Sequence, residues 1–298
     1  MYWNRLNDRL REQYGTKVYK LALSSGCSCP NRDGRLGKRG CVFCDGAGAF
    51  AAAGTITDQL MQAKGRVTEK AGPEAKYIAY FQSFTNTYGP VERLRPLYTA
   101  ALEPEEVVAL SIATRPDCLG PEILKLLREL NARKPVWVEL GLQTIHPETA
   151  RYIRRGYALP VYEEAVARLR ELGITVVTHQ ILGLPGETAD MMAETADYLG
   201  RSGANGIKFH LLHVLEGTDL AADWRAGRFE TMELEDYILA LEECVRRLPR
   251  EMVIHRLTGD GAKRDLLAPL WSGDKKRVLN AIHRAFARDD VEQGSALK

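Results

Sequence analysis

Six short apolar segments, separated by helix-like stretches, constrain the fold of this chain more than any other feature of its sequence. Nearly every residue in these segments is apolar or β-branched, which is typical of strands buried on both faces of a parallel sheet. The stretches between them carry apolar residues at a spacing near 3.6 and mostly end in glycine or a basic residue, as helices do. The predicted strands are residues 17–24, 77–83, 107–114, 136–143, 174–183 and 206–212.

This repeated order of strand and helix predicts an α/β fold in which the units form a barrel or a partial barrel. In such barrels the chemistry collects at the C-terminal ends of the strands. The segments that follow the predicted strands are all polar or glycine-rich, and they are the loop 26–46, QSFTN, TRPD, GLQT, GLPGET and HLLHVLEGT. The functional site is therefore expected at this rim.

The pattern changes after about residue 230. Residues 232–248 predict a helix, residues 252–259 (MVIHRLTG) a candidate seventh strand, and residues 275–288 a basic helix. We therefore expect three parts: an N-terminal helical extension at 1–16, the barrel at 17–230, and a C-terminal extension at 231–298.

The composition narrows the class of protein. The chain has 298 residues and a formal net charge of +2, which gives no overall nucleic-acid footprint. Its charged N-terminal stretch lacks the apolar core of a signal peptide, and no apolar run reaches the roughly 18 residues that a membrane span needs. We expect a cytoplasmic protein that does not insert in a membrane. In a reducing compartment, clustered thiols indicate metal binding or catalysis rather than disulfides.

Four of the six cysteines lie in GCSCPNRDGRLGKRGCVFCDG, residues 26–46. Cys41 and Cys44 form a CxxC pair, which alone is compatible with zinc, a redox dithiol or an iron–sulfur site. A structural zinc site needs four ligands at their own spacing, whereas the remaining thiols here, Cys27 and Cys29, are separated by a single residue. The ligand count and the placement after the first strand favour a three-thiolate iron–sulfur site over zinc.

The stretch CPNRDGRLGKRGCVFC resembles the cluster loop of the radical S-adenosylmethionine (SAM) superfamily, in a variant with eleven residues between the first two cysteines and two between the last. The chain is similar to a bacterial branch related to the catalytic subunit of Elongator. Further matching segments run through nearly the whole chain, and they are YFQSFTNTY, SIATRPDCL, VELGLQTIHPETARYIRRG, ILGLPGET, KFHLLHVLEGT, VIHRLTGD and APLW.

The resemblance implies a partial (β/α)6-type radical SAM barrel with a C-terminal helical extension. It also implies that Cys29, Cys41 and Cys44 ligate a 4Fe-4S cluster, that Cys27 does not, and that SAM is cleaved to a 5′-deoxyadenosyl radical. Such chemistry requires a low-potential electron donor, for example flavodoxin or ferredoxin. An iron left open by the protein can hold the sulfonium substrate, and a closed barrel interior can exclude water.

The strand ends supply the expected SAM contacts. Phe43 is expected near the adenine, and Gln82, Ser83 and Asn86 near the methionine amino group, although a hydrophobic plug and strand-end capping are the alternatives. Charges that face into a barrel are costly unless paired or liganded, which favours cofactor contacts over structural ion pairs at several strand ends. The remaining expected contacts are Arg115, Glu139, Gln143, Gly183, Glu187 and His210. No catalytic residue is assigned from the sequence.

The substrate implied by the resemblance is the side chain of a tRNA wobble uridine. Basic residues give independent support because they could neutralise phosphates around the barrel mouth, although single basic runs are usually solvated surface. They are Arg32, Arg35, Lys38, Arg39, Arg151, Arg154, Arg155, Lys275, Lys276, Arg277, His283, Arg284 and Arg288. Two alternatives stay open: radical chemistry on a small metabolite or peptide, and a zinc-stabilised RNA-binding module without catalysis.

Overall fold

The computed structural model describes residues 2–46, 53–67, 71–72, 74–259, 261 and 263–297. The first half of the chain forms α1 (Leu6–Tyr14), β1 (Val18–Leu23), α2 (Ile56–Gly65), β2 (Lys76–Phe81), α3 (Val91–Leu102), β3 (Val107–Thr114), α4 (Pro121–Asn131), β4 (Val136–Gln143) and α5 (Pro147–Tyr152). The second half forms α6 (Leu159–Glu171), β5 (Thr175–Leu182), α7 (Ala189–Arg201), β6 (Gly206–Leu211), β7 (Val214–Leu215), α8 (Asp219–Arg225), α9 (Leu234–Arg246), β8 (Val253–Arg256), β9 (Leu266–Ala268) and α10 (Lys275–Arg288).

Seven strands form one parallel sheet in the order β1-β2-β3-β4-β5-β6-β8. The sheet curls into a half-barrel whose edges are β1 and β8, which confirms the predicted α/β partial barrel. Strand β8 comes from the C-terminal extension, so the candidate seventh strand is part of the same sheet. The short strands β7 and β9 pair separately in an antiparallel arrangement.

The outer face of the sheet carries the main hydrophobic core. Alternate strand residues such as Leu21, Phe81 and Val138 are fully or almost fully buried against the surrounding helices. This alternation arises because successive side chains in a strand point to opposite faces, and the helices cover only the outer one. The inner face is therefore the face that can hold a ligand.

The N-terminal end of the half-barrel is closed by a small apolar cluster. Leu10 of α1 packs there with inward-facing residues of the first four strands, which are Val18, Ile78, Ala109 and Trp137. This closure leaves the opposite, C-terminal rim as the route to the interior.

Helix α2 lies in the connection between the cysteine loop and β2, and the apolar periodicity did not identify it. It begins with a reciprocal capping box, in which Thr55 accepts from the backbone of Asp58 and the Asp58 carboxylate accepts from the backbone of Thr55. In the described part of the chain, no helix has the length and apolar character needed to cross a membrane. The domain boundaries given above stay predictions.

Candidate active site

The loop after β1 brings Cys29, Cys41 and Cys44 together at the C-terminal rim, with all three thiols free and partly accessible. Burial alone would lower the pKa of Arg32, but its hydrogen bond to Cys44 and its proximity to the three cysteines raise it. The Arg32 guanidinium donates to the Cys44 carbonyl at 2.6 Å. One arginine thus lies close to all three thiols.

Two glycines make room for that arginine. A Cβ atom at Gly40 would lie 2.9 Å from the Arg32 guanidinium, and one at Gly46 would lie 2.6 Å from it. Both glycines also have positive φ angles, 78° and 73°, which favour glycine. A side chain at either glycine would displace the Arg32 guanidinium from its present position beside the thiols.

Asn31 holds the second cysteine in place. Its side-chain amide donates to the Arg154 carbonyl at 2.7 Å and to the Cys41 sulfur at 3.4 Å. Burial raises the pKa of the Cys41 thiol to about 11, and the amide donor opposes this increase. The amide therefore stabilises the thiolate form, which is the form that binds iron.

Cys27 lies apart from this group. It is 4% exposed, belongs to the main core, and has its sulfur 3.9 Å from the Asn86 carbonyl. Among the described residues, no three or more His, Cys, Asp or Glu side chains lie close enough together to ligate a single metal ion. A four-iron cluster requires a wider spacing of its ligands, because each thiolate binds a different iron atom. The donor set fits such a cluster better than one zinc ion.

Asn86 has its side chain occupied by the protein itself. The fully buried amide accepts from the Ser25 hydroxyl at 2.7 Å and donates to the carbonyls of Phe81 (3.1 Å) and Ala113 (2.9 Å). Asn86 thus ties together the C-terminal ends of the first three strands, as the capping alternative expects. Of its predicted neighbours, Ser83 is buried and Gln82 is partly exposed at the same rim.

Arg115 forms an ion pair inside the rim. Its guanidinium donates to both carboxylate oxygens of Asp117 at 2.9 and 2.8 Å and to the Arg155 carbonyl at 2.8 Å. It also lies over the Tyr157 ring at 5.2 Å. Arg115 therefore forms a structural ion pair, which was the alternative to a cofactor contact. It also places positive charge near Cys29.

Glu139 lies deeper than a strand-end position. It is fully buried and accepts from five side chains on five other strands. The donors are Lys20 (3.1 Å), Ser111 (2.7 Å), Tyr80 (3.0 Å), His179 (2.9 Å) and Lys208. Burial alone would raise the pKa of Glu139, but Lys20, Lys208 and His179 outweigh it and hold the pKa well below its usual range. Glu139 is an ionised hub of the barrel interior.

His210 belongs to the same interior layer. Its ring lies 4.9 Å from the ring of His179, and it accepts from the Arg256 guanidinium at 2.5 Å. Burial, reinforced by Arg256, holds the pKa of His210 well below its usual range, and burial lowers the pKa of His179 to about 4. Both rings are therefore neutral at physiological pH.

Sequence reasoning did not single out Lys20, Tyr80, Ser111, Lys208 or Arg256. A signal was present for the lysines, because each stands at an inward position within an otherwise apolar strand, in KVYKLALS and GIKFHLL. A charge buried inside a parallel sheet requires a partner in the barrel interior.

The remaining predicted residues surround the upper rim. Gln143 has a positive φ of 68° at a bulge between β4 and β5, and its amide can donate to the Gly141 and Leu142 carbonyls. Phe43 packs partly buried in a second apolar cluster.

Gly183 and Glu187 follow β5 in the segment GLPGET. A Cβ atom at Gly183 would lie 3.0 Å from the Met232 sulfur, and its φ is 83°, so glycine fits best there. Burial raises the pKa of Glu187, and one of its carboxylate oxygens is buried without a hydrogen-bond partner among the described residues. That oxygen could accept from a ligand.

The fold is a curled parallel half-barrel with a cysteine loop at its C-terminal rim. These features are typical of α/β-barrel enzymes, whose active sites lie at the C-terminal ends of the strands. Comparison with known proteins specifies the family. The chain belongs to the radical SAM superfamily, because the model described as "Radical SAM superfamily" matches residues 32–199. The model described as "Radical_SAM C-terminal domain" matches residues 204–288. Enzymes of this superfamily use SAM and a 4Fe-4S cluster.

Individual relatives agree with this assignment. YtqA of Bacillus subtilis is 45% identical over 296 residues, which cover 98% of this chain and 92% of the relative. A tRNA uridine(34) acetyltransferase of Methanocaldococcus jannaschii is 28% identical over 160 residues, which cover 51% of this chain and 28% of the relative. The structure of the archaeal Methanocaldococcus infernus Elp3 superposes with a TM-score of 0.72 at 17% identity, and covers 93% of this chain and 64% of that one. The Elp3 likeness concerns the fold.

Proposed function

We propose that this enzyme holds a 4Fe-4S cluster on Cys29, Cys41 and Cys44 and cleaves SAM reductively, with a low-potential flavodoxin or ferredoxin as its electron donor. The observation that carries the proposal is the convergence of the three free thiols at the rim of the half-barrel. When bound, the cluster supplies the electron that splits the sulfonium carbon–sulfur bond and yields a 5′-deoxyadenosyl radical.

The chain's own residues prepare the site for that group. Cys41 is a thiol at neutral pH because burial raises its pKa to about 11, so cluster assembly must release its proton. The Asn31 amide and the neighbouring Arg32 favour the thiolate that results. The closed N-terminal end of the half-barrel limits the access of water from below.

Anaerobic reconstitution tests the cluster. Cys29→Ala, Cys41→Ala and Cys44→Ala should each lose most of the iron and the brown colour, whereas Cys27→Ala should keep about four irons per chain. Cys244→Ala is a second control, since Cys244 is fully buried elsewhere. The native protein with dithionite and SAM should release 5′-deoxyadenosine. Zinc in place of iron, or iron retained in Cys29→Ala, would contradict this assignment.

We further propose that the substrate is a wobble uridine of tRNA. The support comes from relatives named as tRNA uridine(34) acetyltransferases and from basic residues at the rim. Several of these residues are already engaged: Arg155 is buried and donates to backbone carbonyls, and Arg39 and Arg154 pair with Asp219. They are therefore poor candidates for phosphate contacts.

Arg35 and Lys38 are better candidates. Both are exposed on the cysteine loop, and no carboxylate of the described residues lies within ion-pair distance of either. Arg35 also lies over the Tyr88 ring at 5.9 Å. An exposed cation beside an aromatic ring suits the backbone and bases of an unpaired RNA loop.

Binding of bulk tRNA at several salt concentrations tests this proposal. Affinity should fall as salt rises, and the double variant Arg35→Glu, Lys38→Glu should bind more weakly with a smaller salt slope. Arg133→Glu is the matched control, since Arg133 follows α4 at the N-terminal end of the barrel. In cells lacking the protein, a wobble-uridine intermediate should accumulate. An unchanged nucleoside profile with salt-insensitive binding would favour a small metabolite or a peptide instead.

A further inference from the structure

The inner face of the half-barrel carries more positive than negative charge. Lys20, Lys208 and Arg256 extend inward from β1, β6 and β8, and Glu139 is the carboxylate that lies between the two lysines. Each of the lysines contacts Glu139. The interior histidines do not change this balance, because burial keeps His179 and His210 neutral.

Arg256 has no anionic partner in the described part of the chain. Its contact is the neutral ring of His210, and its Nε atom is buried without a hydrogen-bond partner. Arg256 is partly exposed as a whole, but a buried N–H group without an acceptor is costly, and the planar guanidinium fork matches a carboxylate in two parallel hydrogen bonds. His210 accepts from one side of the guanidinium and thereby fixes its orientation.

On β1, β3 and β4 the residues above this layer are small. Ala22, Ala113 and Gly141 each follow an inward residue of the polar layer by two positions, so they face the same side one step nearer the cysteine loop. These three positions therefore add little side-chain volume between the polar layer and the rim. Lys20 keeps 24% of its side chain exposed, although it pairs with Glu139.

We propose that the half-barrel interior is a receptor for a carboxylate group of the substrate, with Arg256 and Lys20 as its charge partners and His210 as the positioning residue for Arg256. This inference rests on the proposed function, because it assumes that the substrate enters below the cysteine loop. Lys208 is almost completely buried in its ion pair with the ionised Glu139. The ligand carboxylate would therefore pair with Lys20 and Arg256.

Equilibrium dialysis with radiolabelled acetate and with acetamide, its neutral isostere, tests the receptor. The cluster-loaded protein is saturated with SAM, so that the open iron is occupied, and ionic strength is held constant. We expect the native protein to bind acetate at least about ten-fold more tightly than acetamide, because a charged hydrogen bond is stronger than a neutral one.

Variants locate the binding. Arg256→Gln should weaken acetate binding about ten-fold, and Lys20→Met should weaken it by a smaller factor. Arg264→Gln should leave it unchanged, since Arg264 is exposed and already pairs with Asp265. Arg256→Lys keeps the positive charge but loses the planar guanidinium. A native circular dichroism spectrum, with an acetate affinity between those of the native protein and Arg256→Gln, would show that the loss of binding does not come from unfolding. Equal binding of acetate and acetamide by the native protein, or native-like acetate binding by folded Arg256→Gln, would overturn the proposal.

Competition identifies the source of the carboxylate. If tRNA from cells lacking the protein displaces acetate and an unmodified transcript does not, the carboxylate belongs to the RNA. If acetate stays bound with either RNA, the receptor serves a separate small carboxylate, and the site is supported in both cases. Release of 5′-deoxyadenosine by the native protein is measured independently, so failure of the cluster chemistry is distinguishable from failure of the receptor.

Discussion

Replacing Glu139 by glutamine removes the carboxylate that pairs with Lys20 and Lys208 inside the barrel. The glutamine has nearly the same volume, so the packing of the interior changes little. Lys208 then remains as a cation that is almost completely buried, without the carboxylate that neutralises it. The substitution therefore tests the electrostatic contribution of Glu139 separately from its packing.

The expected cost follows from the burial of the pair. Removing one partner of a buried ion pair costs about 3–5 kcal/mol, because the remaining charge stays out of water. Glu139 is fully buried and Lys208 nearly so, whereas Lys20 is partly solvated, so most of the loss comes from Lys208. We expect a decrease of about 4 kcal/mol in the free energy of unfolding at pH 7.

Urea unfolding of the apoprotein under anaerobic conditions measures this loss. With a slope of roughly 3 kcal/mol/M for a chain of this size, the midpoint should fall by about 1.3 M. Glu129→Gln is the control, because Glu129 and its partner Arg95 are exposed and such pairs contribute at most about 1 kcal/mol. Adding Lys208→Met to Glu139→Gln should recover part of the stability, since the uncompensated charge is then removed.

The pH dependence gives a second check. Burial lowers the pKa of Lys208 in the folded protein, and loss of Glu139 removes the charge that opposes this decrease. The unfolded state then binds more protons than the folded state between the two pKa values, so the stability of the variant rises with pH in that window. Its deficit should shrink from pH 7 to pH 9.5. A midpoint within about 0.3 M of the native value, or an equal deficit at both pH values, would refute the reasoning.

Three further predictions concern the rim. Asn86→Leu should lower the free energy of unfolding by about 2–3 kcal/mol in urea titration, because it removes the side-chain donors to the Phe81 and Ala113 carbonyls and the acceptor of the buried Ser25 hydroxyl. Asn31→Leu should lower the reduction potential of the reconstituted cluster in a spectroelectrochemical titration, since a hydrogen bond to the Cys41 sulfur is lost; an unchanged potential would contradict that role. Thr55→Ala should cost about 1 kcal/mol of stability by removing the cap of α2, without changing the iron content.

The sequence by itself determined the parallel α/β class of the fold and placed the three thiols on one loop. Apolar strands that alternate with amphipathic helices can bury both sheet faces only in a parallel arrangement, so the half-barrel followed from local patterns. The seventh strand followed too, from MVIHRLTG alone, although the family resemblance counted six β/α units. The three cysteines lie on one loop, so their convergence needed little long-range information.

Only the tertiary structure decided what the polar residues at the strand ends contact. The period of two in a strand tells which residues face inward, but not how far each lies below the rim or which side chain it meets across the barrel. Glu139 was expected at the rim and lies in a deeper layer, where its partners Lys20 and Lys208 are 119 and 69 residues away.

The same limit applies to Asn86 and Arg115. Each can bind a cofactor or the protein, and its residue type does not distinguish the two. The structure shows the Asn86 amide held by backbone carbonyls and the Arg115 guanidinium held by Asp117, because the register between neighbouring strands brings these groups together. Register is set by the packing of the whole sheet, and so these partnerships are a property of the folded chain rather than of any segment of it.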